Sequence, residues 1–163
     1  MDLNLLNERF KNCSCGKTHI CPIDYINIGK GAINSLPQAC ENYHKILMVS
    51  DNNTYSVCGK DAAEILGKKI ANHIVLQPNG DVVIPNEDKI AEIEEKLDSE
   101  TDFIIGVGSG VINDIAKILA NISGKKYIIV ATAIPITSIT RLLPFIRLLL
   151  TSLVSSFIFL YHT

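Results

Sequence analysis

The run Gly106-Val107-Gly108-Ser109-Gly110 is the segment whose residue types and spacing best suit binding chemistry. Closely spaced glycines let a backbone approach a ligand, and free N–H groups at a following helix start attract an anion. Ser109 adds a hydroxyl donor. Asp114 and Lys117 lie three residues apart further along and would point the same way on a helix. The plainer reading is a tight turn, which Gly-x-Gly-x-Gly also makes. The usual dinucleotide fingerprint needs glycine where Val111 stands, and it belongs to the first strand–helix unit rather than the fourth. A P-loop is excluded because no Gly-Lys-Ser/Thr follows.

Asp51 is the second candidate. An acid just after a strand can accept hydrogen bonds from ribose hydroxyls, although a loop aspartate more commonly caps a turn. A third group is Cys13, Cys15, His19 and Cys21, four soft ligands within nine residues. Zinc accepts these ligand types. The spacing is poor for a knuckle, and reduced surface thiols are the simpler reading. Cys40 and Cys58 lack a partner motif and are expected to be buried small side chains.

These residues need elements to hold them. Short β-branched runs alternate with helical patterns from about 23 to 133. Strands are predicted at Tyr25–Ile28, Lys45–Ser50, His73–Leu76, Phe103–Ile105 and Lys126–Ala133. Turns are predicted at 51–53 and at Pro78-Asn79-Gly80. A helix is predicted over Val57–Leu66, closed by Gly67. Another starts at Pro85-Asn86-Glu87-Asp88, with Ile90, Ile93 and Leu97 on one face. A third carries Ile112, Ile115, Ala116 and Leu119 on one stripe and stops at Gly124. Apolar strands separated by helices imply an α/β, doubly wound, mostly parallel sheet covered on both faces. Asp51 and the glycine loop then fall on the same edge of that sheet.

The whole chain has 163 residues, 47% of them apolar and 20% charged, which suits a packed core and not global disorder. A net charge of -2 offers no basic stripe for nucleic acid. No tryptophan and 6% aromatic content argue against an aromatic-rich binding module. The averages hide a break. All 17 acids precede residue 134, whereas the last 30 residues hold no acid and two bases, Arg141 and Arg147. The start shows no secretory pattern, so reduced cysteines and a cytoplasmic location are expected. Residues 148–161 are uncharged, but that is 14 residues, short of the roughly 18 to 20 a spanning helix needs.

The segment Phe103 to Lys117, together with Tyr127-Ile128-Ile129-Val130-Ala131-Thr132-Ala133, resembles the sn-glycerol-1-phosphate dehydrogenase family. The likeness is to its bacterial branch, within the iron-containing alcohol dehydrogenase and dehydroquinate synthase-like superfamily. Cys13-Ser14-Cys15-Gly16-Lys17-x-His19 before Ile28-Gly29-Lys30-Gly31-Ala32 fits the same branch. The resemblance covers about residues 8 to 133. It implies a Rossmann-like domain for NAD(H) or NADP(H). Gly106, Gly108, Ser109 and Gly110 would hold the pyrophosphate, and Asp51 would meet the adenosine ribose. Asp114 would lie towards the nicotinamide and substrate, and Thr132 would line the cofactor cleft. Lys117 matches the motif as a helix-supporting residue.

The family's reaction reduces dihydroxyacetone phosphate to sn-glycerol 1-phosphate, a step of glycerophosphate and phospholipid metabolism. A divalent metal (zinc, nickel or iron across the superfamily) polarises the carbonyl. A homo-oligomer is implied.

After Ala133 the family continues Pro-Ser-x-Asp-Gly and a helical domain that supplies one Asp and two His to the metal. This chain has Ile134-Pro135-Ile136-Thr137-Ser138 instead. No catalytic metal ligand is therefore assigned. Three segments are expected: a Cys-rich start, 1–22; a dinucleotide-binding domain, 23–133; and an apolar, aberrant tail, 134–163, read as a frameshifted end that is neither core nor anchor. The expected protein is a truncated dehydrogenase, inactive alone. The alternatives are a non-redox nucleotide- or phosphate-binding module, or an accessory protein anchored to a membrane through 148–161.

Overall fold

The computed structural model describes residues 8, 14–17, 23–77, 87–132 and 157–161. Six strands form one sheet in the order β1-β6-β5-β4-β2-β3. They are β1 (Ile23–Ile28), β2 (Ile46–Asp51), β3 (Ile70–Leu76), β4 (Phe103–Gly108), β5 (Lys126–Ala131) and β6 (Phe157–Tyr161). The α-helices among the described residues are α1 (Leu36–Ala39), α2 (Asn52–Thr54), α3 (Lys60–Leu66), α4 (Glu87–Glu95) and α5 (Gly110–Ser123). β3, β2, β4 and β5 pair in parallel. Parallel neighbours need crossover connections, and the helices supply them.

Alternation along the strands decides which face each residue covers. Leu47, Val49, Ile104, Ile129 and Ala131 pack with Ile93 of α4 and with Ile112, Ile115, Ala116 and Leu119 of α5. Ile46, Met48, Phe103, Ile105, Val107, Ile128 and Val130 pack with Leu36 of α1 and with Ala62 and Leu66 of α3. All six residues of β4 are buried. The sheet therefore has a core on each face, as the α/β doubly wound expectation requires. Cys40 and Cys58 are buried in the second core. Burial pushes the Cys40 thiol up to about 12, which keeps it protonated.

The predicted stripe on α5 is present, and Gly124 ends that helix in the left-handed conformation at φ 64°. The helix predicted from Val57 instead follows directly on β2. Asn52–Thr54 forms a first turn, Tyr55–Gly59 a π-helical turn, and Lys60–Leu66 the α-helix. Gly59 permits the π turn locally, because a Cβ there would stand 2.6 Å from Tyr55 Cδ2. Gly67 ends α3 but opens a short 3-10 turn, Gly67–Lys69. Pro78-Asn79-Gly80 and Pro85-Asn86 lie outside the described residues.

The far end of β2 is anchored by Asp102. Its carboxylate accepts from the backbone N–H groups of His44 (2.7 Å) and Lys45 (3.0 Å). The Asp102 N–H donates to the Lys45 carbonyl at 2.9 Å. The Tyr43 and Phe103 rings stack beside it with centroids 3.9 Å apart. This fixes where β2 and β4 begin, and so where their other ends open.

The tail differs from its expectation at one point. Phe157–Tyr161 forms β6, antiparallel to both β1 and β5. A segment expected to stand outside the core occupies a sheet position, because five consecutive apolar residues suit a strand between two others. The remainder of 134–163 lies outside the described residues. Among the described residues, no helix is long and apolar enough to cross a membrane.

Candidate functional site

From β2 the chain runs to β3 on one side, then returns past β2 to β4 on the other. The strand order therefore reverses between β2 and β4. Open α/β sheets bind ligands outside the carboxyl ends of their strands at such a point. Here those ends carry Asp51 and the glycine loop. Ser50 of β2 is in register with Val107 of β4, which places both candidates at one height on adjacent strands.

The three glycines do different things. Gly106 is inside β4, where a Cβ would stand 2.5 Å from Ile129 Cδ1 and 3.1 Å from Ala116 Cβ. A Cβ on Gly108 would stand 2.5 Å from Ile112 Cγ1 and 2.8 Å from Ile112 Cβ. Both absent side chains let α5 lie close on the sheet. A Cβ on Gly110 would meet nothing within 4 Å beyond its chain neighbours and its own helix backbone among the described residues, so that side of the helix start is open. None of the three has a positive φ. Room, not backbone conformation, is what calls for glycine here.

Ser109 is the N-cap of α5, in extended conformation, and its side chain makes no capping bond. No acidic residue stands in the first turn. The first intrahelical bond runs from Asn113 N–H to the Ser109 carbonyl at 3.0 Å. The N–H groups before it belong to the orphan donors of a helix start, which carries partial positive charge. Thr132, just after β5, is tied to this loop by its N–H, which donates to the Gly108 carbonyl at 3.2 Å. The structure thus brings Gly108, Ser109, Gly110 and Thr132 together.

Asp51 is the N-cap of α2. Its Oδ1 accepts from Thr54 N–H at 2.8 Å, and its own N–H donates to Thr54 Oγ1 at 3.1 Å. This capping box holds the carboxylate at the strand end. The capping role and the ribose role are compatible, since a carboxylate has two oxygens and several lone pairs. Asn52 and Gln77 pair through their amides beside it, at 2.7 Å and 3.3 Å. Asp114 and Lys117 are both exposed on α5.

Two features had no assigned role in the sequence. Ser50 is fully buried, and its Oγ lies 3.0 Å from His73 Nε2, under the Asp51 turn. The Tyr55 ring lies against His73 with centroids 4.6 Å apart. Burial lowers the His73 pKa below its ordinary value. The other feature is Asn113, whose Oδ1 is buried with no hydrogen-bond partner among the described residues. A polar residue one place off an apolar helical stripe was the available signal for it. A cavity of about 330 Å³ lies along β3, lined by Asn72, His73, Gln77 and Lys96, beside the β3 end and not over the glycine loop.

An uncapped helix start, an open Gly110, a free hydroxyl and a neighbouring carboxylate fit a dinucleotide: pyrophosphate on the loop and ribose at Asp51. Among the described residues a catalytic metal has no such fit. The described residues contain no group of three His, Cys, Asp or Glu side chains placed to hold an ion. Cys15 is exposed, and Cys13, His19 and Cys21 lie outside the described residues.

The model of the iron-containing alcohol dehydrogenase family matches residues 27–143, so the match continues beyond Ala133 into the segment expected to be foreign. A glycerol-1-phosphate dehydrogenase [NAD(P)+] from Halalkalibacterium halodurans is 30% identical over 136 residues, covering 80% of this chain and 34% of that protein. Another, from Geobacillus stearothermophilus, is 27% identical over 139 residues, covering 81% and 34%. The chain therefore spans about a third of the length of these relatives. Glycerol dehydrogenase from Schizosaccharomyces pombe superposes with a TM-score of 0.53 at 20% identity, over 62% of this chain and 25% of that one, a likeness of fold. With 117 of 163 residues inside the family model and the glycine loop at the switch point of the sheet, the chain belongs to the iron-containing alcohol dehydrogenase family.

Proposed function

We propose that this chain is the nucleotide-binding part of an NAD(P)-dependent sn-glycerol-1-phosphate dehydrogenase acting on dihydroxyacetone phosphate, with 23–133 as the binding domain and a cytoplasmic location. The observation that carries this reading is the juxtaposition of an uncapped α5 start with Asp51 across the β2–β4 switch point. The named relatives support the substrate.

Each residue has a task. The N–H groups at the α5 start and the Ser109 hydroxyl donate to the pyrophosphate oxygens. Gly110 leaves the approach clear. Asp51, held by Thr54, accepts from ribose hydroxyls. Thr132 closes the β5 side of the cleft, and Asp114, exposed on α5, lies towards the nicotinamide and substrate. The bound nicotinamide supplies the hydride for carbonyl reduction. No step is assigned to a metal, because the described residues do not fit one. The 163 residues alone are proposed to bind cofactor without turnover.

Titration of the chain with NADH, followed by nicotinamide fluorescence and competition with ADP, tests the reading. Saturable NADH binding that ADP displaces only weakly is expected, with no NADH oxidation when dihydroxyacetone phosphate is added. ADP binding as tightly as NADH would favour a non-redox nucleotide-binding module. No binding of either would overturn both.

A further inference from the structure

Ser50, the residue before Asp51 on β2, is fully buried, so its hydroxyl needs a partner within the fold. That partner is His73 on β3, whose Nε2 lies 3.0 Å from Ser50 Oγ. Strand register puts it there, since His73 pairs with Met48 and Ser50 with Val75. The same ring lies against Tyr55, with centroids 4.6 Å apart. A Cβ on Gly59 would stand 2.6 Å from Tyr55 Cδ2, so glycine at that position leaves the Tyr55 ring its place.

Ser50 and Tyr55 are the residues on either side of the capping box Asp51–Thr54. His73 therefore touches the chain immediately before the box and immediately after it. The bonds between Asp51 and Thr54 close the box. The His73 contacts tie the closed box to β3. We propose that His73 is a positioning residue for Asp51: its bond to the Ser50 hydroxyl and its contact with Tyr55 hold the carboxylate where it meets the adenosine ribose, and protonation of the ring loosens that hold. The proposal rests on the dinucleotide reading given above.

A neutral imidazole can accept from the Ser50 hydroxyl at Nε2. The protonated ring donates at both nitrogens and cannot. The Ser50 proton then has to find another acceptor in a buried place, which is costly. The titratable and charged groups around the ring are Tyr55 from the turn, Asp51 at the end of β2, and Lys96, which lines the same cavity. Burial is what lowers the His73 pKa below 6.5. The ring is thus neutral and the hold complete above pH 6.5, and the hold is lost as pH falls through the lowered folded value.

The test is calorimetric titration of the full chain with ADP-ribose from pH 7.5 down to pH 5, with circular dichroism confirming the fold at each pH. ADP-ribose carries the adenosine ribose and the pyrophosphate, and none of its groups changes charge in this range. The parent should lose about 3- to 10-fold in affinity across the series. His73→Gln keeps a side-chain amide near Ser50 but cannot titrate, so it should bind like the parent at pH 7.5 and show no loss at pH 5. His73→Leu and Ser50→Ala should each bind about 3- to 10-fold more weakly already at pH 7.5. Asp51→Ala should show no pH dependence, because no carboxylate is left to position. If the parent binds ADP-ribose equally at every pH, the proposal fails and the dinucleotide reading stands. A pH-dependent loss retained in His73→Gln or in Asp51→Ala also overturns it. So does a lowered melting point in His73→Leu with affinity unchanged, which would make the histidine a support of the fold alone. If the parent does not bind ADP-ribose at pH 7.5, the dinucleotide reading fails and the proposal goes with it.

Discussion

A methyl group on Gly108 would meet Ile112 Cβ at 2.8 Å, whereas one on Gly110 would meet nothing within 4 Å. The two glycines are alike in the sequence, since both fit a phosphate-binding loop. Only packing separates them: Gly108 makes room for α5, and Gly110 keeps the helix start accessible. Gly108→Ala should therefore destabilise the fold by about 1–3 kcal/mol through overpacking. Gly110→Ala should change stability by no more than about 0.5 kcal/mol and weaken NADH binding. Urea unfolding midpoints together with NADH titration of both variants check this. Equal loss of stability in the two would sink the division of roles. The motif was legible because glycine spacing is local information. The division of labour was not, because it depends on where Ile112 and Ile129 lie after folding.

At the scale of elements, β2 and β3 were legible as strands from their apolar runs, but their pairing and its polar content were not. Ser50 and His73 are 23 residues apart, and only strand pairing brings Ser50 Oγ to His73 Nε2. Burial lowers the His73 pKa from 6.5 in the folded chain. The unfolded chain then binds the proton at higher pH than the folded chain does. Above pH 6.5 both forms are neutral and the full stability is present. As pH falls below 6.5 and through the folded pKa, the unfolded state gains protons first and stability is lost. His73→Gln should flatten this part of the pH profile while the rest stays in place. Urea midpoints measured from pH 7.5 down to pH 5 test it, and an unchanged slope in the variant would show that other groups cause the loss. The consequence reaches the site, because His73 and Tyr55 support the turn in which Thr54 holds Asp51.

At the scale of the whole molecule, β1 is paired with β6 alone among the strands, and β6 stands between it and β5. Composition marked 134–163 as different, since it lacks acids, and that contrast obscured a plainer signal. Phe157-Ile158-Phe159-Leu160-Tyr161 is a short apolar run flanked by Ser155-Ser156 and His162-Thr163, the pattern of a buried strand. The five-stranded remainder was readable because each of its strands is followed by a turn or helix signal nearby. β6 was not, because its paired residues precede it by 26 positions or more and periodicity says nothing about distant pairing. Adjacent strands lie about 4.8 Å apart. Removing β6 would leave β1 about two strand spacings from β5, with its N–H groups unpaired along both edges. Hydrogen exchange on the full chain and on residues 1–133 measures this directly. Amides of Ile23–Ile28 should be protected in the full chain and exchange at least ~10-fold faster in the shorter one, an effect of local opening. Those of β4, paired on both sides by β2 and β5, should change little. Equal exchange of Ile23–Ile28 in both chains would mean that β6 does not hold β1 to the sheet, and that the glycine loop and Asp51 stand on a fold complete without it.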